Sequence, residues 1–234
     1  MNAIISQLDK QKHKVILMSI LLNISKNVIL KKLLVFKWWT SLFLLYNLDR
    51  FSTDLDFDLI ENKYEYDVIL DEIVQILSQY GTVKNSYIKK NTIFSLLSYW
   101  EIDHNIKIEI STRWVSWKYS LKNFMWIKVN VLDIEYITAN KFLALTRRDK
   151  LANRDIYDVW FILKNNLPIN SLHIKNISGE SFEQYIKFMI TFLGKLWEKH
   201  NILDWLWSTL NEKQKSFVKI HLLSETIFLL HSLI

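Results

Sequence analysis

The stretch Arg50-Phe51-Ser52-Thr53-Asp54-Leu55-Asp56-Phe57 is the part of this chain that indicates its fold most directly. Apolar and polar residues alternate from Thr53 to Ile60, which predicts a β-strand whose successive side chains point to opposite faces. One face therefore carries Asp54, Asp56 and Asp58. Like charges about 6.6 Å apart along a strand repel each other unless a cation neutralises them. Two such carboxylates can share a pair of Mg²⁺ ions, although a solvated strand face with incidental acids is the alternative.

The segment Lys37-Trp38-Trp39-Thr40-Ser41 comes before this strand, separated from it by one predicted helix. We expect a short strand over Leu33–Lys37 and a helix over Thr40–Leu48 that Thr40 caps. The N-terminus of a helix attracts phosphate, and a glycine turn lets the backbone approach it closely. Two tryptophans occupy the positions where that chemistry favours glycine.

Glycine and tryptophan are the outliers in the composition. Average usage of about 7% predicts roughly 16 glycines, whereas the chain has three glycines and ten tryptophans. An AT-rich genome that disfavours glycine codons is one explanation. Another is that the source reads the UGA codon as glycine and that the written tryptophans are in part glycines. Trp160 lies in a helical run and is expected to be a true tryptophan, whereas a turn or a close backbone approach favours glycine at Trp38, Trp39, Trp126, Trp205 and Trp207.

Length and composition predict a globular protein. Half of the 234 residues are apolar and 23% are charged. The net charge of +6 permits a polyanionic partner such as RNA. The absence of cysteine excludes disulfides and thiolate chemistry, and a cytoplasmic location fits. No uncharged run reaches the ~18 residues of a membrane span, so no membrane partner is expected.

The periodicity predicts a mixed α/β domain over residues 1–165 and a helical region over residues 166–234 that packs on it. Further helices are predicted over Lys14–Asn23, Lys26–Leu34, Tyr66–Tyr80, Ile134–Arg147, Asn153–Lys164 and from Ser181 onward, with breaks near His200 and Asn211. Further strands are predicted over Thr82–Lys89, Thr92–Trp100, Asn105–Ser111 and Trp126–Leu132.

Four blocks in this order resemble a known family. They are Lys37 to Ser41 with Arg50-x-Ser52-x-Asp54-x-Asp56, then Lys107–Ser111, Ala139–Leu145 and Arg154–Trp160. The pattern is similar to the AbiEii/AbiGii nucleotidyltransferase toxins of the polymerase-β-like nucleotidyltransferase superfamily. The resemblance covers about Leu33 to Leu163 and implies an α/β (α+β) fold, with a mixed sheet flanked by helices and a helical C-terminal region. It departs from the family at Trp38-Trp39, where the family has two glycines.

The resemblance also implies residue roles. Asp54 and Asp56 would hold Mg²⁺ or Mn²⁺, Glu109 would be the third acid and help to deprotonate or position the acceptor hydroxyl, and Asp58 would support them. Lys141 would contact the triphosphate. One of Asp155 and Asp158, with Asp158 favoured, would orient Lys141 or the base in the site, and the other would pair with Arg154 or Arg147. The expected nucleotide-binding residues are Lys37, Trp38, Trp39, Thr40, Ser41, Arg50, Ser52, Lys141 and Asp155.

The implied activity is magnesium-dependent transfer of NMP from an NTP to an acceptor, such as the tRNA 3′ end, by a toxin with a co-encoded antitoxin. A loop with Arg113, Trp114, Trp117, Lys118 and Tyr119 could face RNA, although ordinary packing is the favoured explanation. Two other classes stay open. One is a phosphotransferase on the same fold, and the other is a non-catalytic binding protein whose phosphate loop is filled by Trp38 and Trp39.

Overall fold

The computed structural model describes residues 7–60, 65–99, 105–113, 117–148, 150–196, 201–204 and 206–234. The chain forms two compact units, of which the first ends at Leu132 and the second begins at Asp133. The predicted division into residues 1–165 and 166–234 followed the motifs and stays a prediction. Trp114, Trp205, the predicted strand end at Trp100 and the predicted break near His200 lie outside the described residues.

Helices of the first unit are α1 (Gln7–Lys26), α2 (Leu30–Leu33), α3 (Trp38–Leu45) and α4 (Tyr66–Ser78). Its strands are β1 (Leu34–Lys37), β2 (Asp54–Leu59), β3 (Thr82–Lys89), β4 (Thr92–Ser98), β5 (Asn105–Ser111), β6 (Tyr119–Phe124) and β7 (Ile127–Leu132). In the described part of the chain they form one sheet in the order β3-β4-β5-β2-β1-β7-β6. The sheet is mixed, because β2 runs parallel to β5 and antiparallel to β1, and β1 runs parallel to β7. The predicted mixed α/β fold is confirmed.

The core of the first unit lies between the sheet and helices α1 and α4, which contact each other and several strands. Helix α4 turns one face inward because its buried residues recur three or four positions apart; they are Ile69, Ile73, Ile76 and Leu77. On β2 the alternate residues Leu55 and Phe57 are buried, and the Phe57 ring lies 5.5 Å from the Phe36 ring of β1. This apolar packing fixes β2 in the sheet and leaves its aspartates to the other face.

The second unit contains six helices among its described residues. They are α5 (Ile134–Arg147), α6 (Asn153–Lys164), α7 (Ser171–Ser178), α8 (Phe182–Gly194), α9 (Glu212–Ile220) and α10 (Leu222–His231), with a short 3-10 helix at Trp207–Thr209. Ser181 caps α8 and Asn211 caps α9, each in a reciprocal capping box with the glutamine three residues on. None of the described helices in either unit is long and apolar enough to cross a membrane.

Three sequence expectations about these elements are corrected. Helix α3 begins at Trp38 and not at Thr40, and Thr40 does not cap it, because its hydroxyl bonds to β2 instead. Strand β6 was not predicted, since its apolar residues Tyr119 and Leu121 are exposed on an edge strand. Helix α7 was not predicted either, although Asn170 caps its start and Gly179 ends it in a left-handed conformation.

Candidate active site

The pairing of β2 with β5 brings the three predicted acids together. In this parallel register Asp54 lies opposite Lys107, and Asp56 lies opposite Glu109. Side chains two residues apart on a strand share a face, so all four charged groups project from the same side of the sheet. The sequence predicted the acids, and the strand pairing adds the lysine.

Asp56 is the most deeply buried of the three acids. Its side chain is 6% exposed, and Oδ2 has no hydrogen-bond partner among the described residues. Burial raises the pKa of Asp56 from 3.8 to about 6, with the neighbouring Asp54 and Glu109 adding to the rise and Lys107 opposing it. A buried carboxylate oxygen without a donor is costly for the protein. This oxygen is therefore available to a cation.

Lys107 places its ammonium group between the carboxylates. Nζ lies 3.5 Å from Asp54 Oδ2 and 3.4 Å from Glu109 Oε2. Burial acts to lower the pKa of Lys107, but the charges of Asp54, Asp56 and Glu109 outweigh it and raise the pKa above its ordinary value. Sequence reasoning did not assign Lys107 a role, although its spacing two residues before Glu109 on one strand was a signal for it.

A second ion pair lies deeper on the same strand face. Lys37 Nζ lies 2.5 Å from Asp58 Oδ1, and both side chains are buried. Burial raises the pKa of Asp58, and Lys37 opposes that rise through its charge and its hydrogen bond. Lys37 was expected to bind nucleotide. In this structure it forms an ion pair with Asp58, which connects the end of β1 to β2.

The turn between β1 and α3 has the conformation that glycine favours. Trp38, the first residue of α3, has a φ of +62°, in the left-handed region where a side chain is strained. Ser41 Oγ donates to the Trp38 carbonyl oxygen at 2.5 Å, which closes the first turn. Glycine was expected at this position because a tight turn favours it. The left-handed φ of Trp38 is the backbone conformation that such a turn uses.

Hydrogen bonds attach the first turn of α3 to the start of β2. The Thr40 hydroxyl donates to the Asp54 carbonyl oxygen, and Thr40 Oγ1 lies 2.7 Å from Ser52 Oγ. Arg50 is buried and its guanidinium donates to the Phe51 carbonyl oxygen at 3.4 Å. The helix N-terminus, which attracts anions, is therefore held beside the carboxylates, which attract cations.

Tryptophan rings crowd this turn. The Trp38 and Trp39 rings stack with centroids 6.3 Å apart, and Trp117 meets Trp38 edge-on at 6.1 Å. Lys37 Nζ lies 5.2 Å from the Trp38 ring centroid. As written, the chain places indoles where a phosphate would approach the helix.

The donor set suits a hard cation. Magnesium and manganese prefer carboxylate oxygens, and the unpartnered Asp56 Oδ2 aims such an oxygen at the cluster. Within the described residues no three His, Asp or Glu side chains converge tightly enough to form a finished metal cluster. The Lys107 ammonium lies 3.5 Å from Asp54 Oδ2 and 3.4 Å from Glu109 Oε2, so these two carboxylates share a cation that belongs to the chain itself.

The second unit holds its own buried lysine. Lys141 on α5 is fully buried, with Nζ 2.6 Å from Asp158 Oδ2 and 3.5 Å from Asp155 Oδ1, both on α6. Asp155 Oδ2 also forms an ion pair with Arg148 Nε at 2.7 Å, and the predicted pairing with Arg154 or Arg147 stays a prediction. The spacing of the two aspartates places both on one helix face. The predicted contact of Lys141 with triphosphate stays a prediction.

Comparison with known families identifies the class of protein. The family model of the nucleotidyl transferase AbiEii toxins, from type IV toxin–antitoxin systems, matches residues 20–215. The chain belongs to the AbiEii family. It is thus a nucleotidyltransferase-family protein, and membership implies an NTP substrate, a divalent metal and an antitoxin partner.

Solved structures share the AbiEii-type fold of this chain. A candidate nucleotidyltransferase from H. pylori has a TM-score of 0.61 at 22% identity, covering 96% of this chain and 92% of its own. JHP933 from Helicobacter pylori has a TM-score of 0.64 at 20% identity, covering 98% of this chain and 94% of its own. No curated protein sequence matches the chain.

Proposed function

We propose that this AbiEii-family protein is a magnesium-dependent nucleotidyltransferase toxin that acts in the cytoplasm. The observation that carries the proposal is the attachment of the α3 N-terminus to the start of β2 by Thr40, beside the unpartnered oxygen of Asp56. This juxtaposition offers one site for an anion next to one for a cation. A metal-bound triphosphate presents both charges together.

The reaction is the in-line attack of an acceptor hydroxyl on the α-phosphate of an NTP. The acceptor oxygen forms a bond to the α-phosphorus, the bond to the β-phosphate oxygen breaks, and pyrophosphate leaves. Asp54, Asp56 and Glu109 would hold Mg²⁺, which when bound neutralises charge on the phosphate oxygens. Glu109, the most exposed of the three, would position or deprotonate the acceptor hydroxyl. The backbone amides of α3 supply positioning and charge stabilisation.

The remaining residues have supporting parts in this proposal. Ser52 contacts Thr40 in the first turn of α3, and Ser41 bonds to the Trp38 carbonyl in the same turn. Arg50, whose guanidinium donates to the Phe51 carbonyl oxygen, would brace this loop or touch phosphate. Lys141 would reach the triphosphate, which requires its ammonium to leave Asp158 and Asp155. An RNA acceptor such as the tRNA 3′ end fits the net charge of +6.

We also propose that the native protein carries glycine at positions 38 and 39, through reading of UGA as glycine. The left-handed φ of Trp38 supports this, since glycine adopts it at little cost. With glycine the indoles no longer fill the approach to the helix N-terminus.

The test measures which radioactively labelled phosphate of an NTP is transferred to RNA. The chain as written and its Trp38→Gly/Trp39→Gly variant are incubated with Mg²⁺, total RNA and NTP labelled at the α- or the γ-phosphate. Transfer of the α-label to RNA supports the proposal, whereas transfer of the γ-label makes the protein a phosphotransferase. Asp54→Asn and Asp56→Asn should each abolish transfer, and Asp67→Asn, an exposed acid on α4, is the matched control. Full activity in Asp54→Asn would refute the assignment.

A non-catalytic binding protein is the second candidate. The stacked Trp38 and Trp39 favour it for the chain as written, because they occupy the phosphate loop. Failure of both proteins to transfer either label or to bind NTP with Mg²⁺ would support this candidate and overturn the first.

A further inference from the structure

Lys37, Lys107 and Lys141 contact carboxylates from buried or partly buried positions, and Lys107 differs from the other two. Lys37 and Lys141 each have one close aspartate, at 2.5 and 2.6 Å. Lys107 Nζ lies at 3.4–3.5 Å from two carboxylates. Charge-assisted hydrogen bonds are usually about 2.7–2.9 Å long, so Lys107 is shared and loosely held.

The position of Lys107 follows from strand geometry. Residues 107 and 109 share one face of β5, and the parallel register sets them opposite Asp54 and Asp56. The lysine side chain must therefore rise among the three acids. It is partly exposed, at 32%, so its ammonium has a route to solvent.

Without a cation the acids would repel each other strongly. Asp56 is almost completely buried and its Oδ2 has no donor, so water does not relieve its charge. The Lys107 ammonium supplies a positive charge in the centre of the cluster. It also blocks the convergence of Asp54 and Glu109 on one ion, because it stands between them.

We propose that Lys107 is an internal counter-cation that holds the carboxylate cluster together without metal and that an entering divalent cation displaces. This inference rests on the proposed function, since it takes Asp54, Asp56 and Glu109 as the metal-binding residues. Lys107 is thus a positioning residue that sets metal affinity. A divalent ion has to compete with a tethered ammonium for the same oxygens, which keeps metal binding weak until the ammonium moves away.

The test is calorimetric titration of the full chain with Mn²⁺ alone, without nucleotide. Lys107→Gln should bind Mn²⁺ about tenfold more tightly than the parent chain, which corresponds to about 1.4 kcal/mol. Lys107→Arg keeps the charge and should keep the weak affinity. Lys128→Gln removes the same charge from an exposed position on β7 and is the matched control for net charge.

Thermal unfolding gives a second readout that a merely structural lysine would not produce. In EDTA, Lys107→Gln should melt below the parent chain, because the acids lose their counter-charge. In Mn²⁺ it should gain more in melting temperature than the parent does. A variant that loses stability equally in EDTA and in Mn²⁺ would overturn the inference.

Asp56→Asn separates failure of this inference from failure of the proposed function. If Asp56→Asn abolishes Mn²⁺ binding while Lys107→Gln leaves the affinity unchanged or weaker, the metal site stands and the inference is wrong. If neither the parent chain nor Lys107→Gln binds Mn²⁺, the proposed metal site itself is wrong and the inference falls with it.

Discussion

At the scale of single residues, the buried carboxylate of Asp56 lowers the free energy of unfolding of the metal-free protein at neutral pH. Its carboxylate is buried and raised in pKa to about 6, so ionising it at neutral pH strains the folded protein. Between pH 3.8 and about 6 the folded state binds more protons than the unfolded state does. Stability therefore falls as the pH rises through this window.

We predict that Asp56→Asn stabilises the metal-free protein at pH 8, by up to about 3 kcal/mol for a pKa shift of about two units. The gain should shrink as the pH falls and be nearly absent at pH 3, which lies below both the unfolded value of 3.8 and the folded value of about 6. Urea unfolding in EDTA at pH 3, 6 and 8 measures it. Asp67→Asn on the exposed face of α4 is the control for the loss of one carboxylate, and a gain from Asp56→Asn that is independent of pH would contradict the prediction.

Trp38 and Trp39 are neighbours with opposite backbone requirements. Trp38 has a left-handed φ, whereas Trp39 continues the helix and is not among the residues with positive φ. We predict that Trp38→Gly is more stable than Trp38→Ala by about 1 kcal/mol, because alanine keeps the strain of the left-handed region. At position 39 the order should reverse by a similar amount, because alanine favours helix over glycine. Urea unfolding of the four variants measures both differences in the free energy of unfolding. If the glycine variant, or the alanine variant, is the more stable one at both positions, the argument is contradicted.

Much of the site at this scale was predictable from local pattern. Alternation placed Asp54, Asp56 and Glu109 on strand faces, and the requirement for a tight turn marked position 38 as a glycine position. The interposed Lys107 and the burial of Asp56 were not predictable, because both depend on which strand pairs with β2. That pairing joins segments about fifty residues apart.

At the scale of elements, α5 and α6 are joined by a buried ionic contact. Lys141 and Asp158 have no exposed side-chain surface. Removing one charge from such a pair leaves the other buried, which generally costs about 3–5 kcal/mol.

We predict that Lys141→Met destabilises the protein by about 3–5 kcal/mol and that adding Asp158→Leu recovers most of the loss. Lys187→Met is the control, because Lys187 pairs with Glu183 on the exposed surface of α8 and should change stability little. Thermal and urea unfolding of the single and double variants measure the free energies of unfolding that this double-mutant comparison needs. No recovery in the double variant would mean that Lys141 stabilises the helices by packing rather than by charge.

Sequence patterns identified the long elements better than the short ones. Helices α5 and α6 and strands β3 and β5 have the predicted bounds, because their apolar residues follow a clear period. Strand β6 was not predicted, because its apolar residues Tyr119 and Leu121 are exposed. The alternation of apolar and polar residues along this strand therefore does not match a buried and an exposed face. Helix α7 has only eight residues, too few for a periodic signal, and only its caps marked it.

At the scale of the whole molecule, composition and backbone conformation are the two observations behind the proposal that some of the written tryptophans are glycines. The chain has far fewer glycines than its length predicts and an excess of tryptophans. Trp38 combines the two observations, because it is one of the excess tryptophans and has the left-handed φ that glycine favours. Trp160, by contrast, packs its ring 4.7 Å from the Phe217 ring, as a true tryptophan does.

We predict that protein isolated from the native source carries glycine at positions 38 and 39 and tryptophan at position 160. Trypsin cleaves after Lys37 and Arg50, so one peptide spans positions 38–50 and its mass reports both residues. A second peptide, covering positions 155–164, serves as the internal control. Tryptophan at 38 and 39 would show that the phosphate loop is blocked and would favour the non-catalytic candidate.

The parallel pairing of β2 with β5 also determines when during synthesis the carboxylate cluster can form. Asp54 and Asp56 leave the ribosome early, but Glu109 follows about fifty residues later. Closing so long a loop is slow compared with forming local contacts. A nascent chain that ends before β5 lacks both Glu109 and Lys107, so the carboxylate cluster cannot form until both strands have been synthesised.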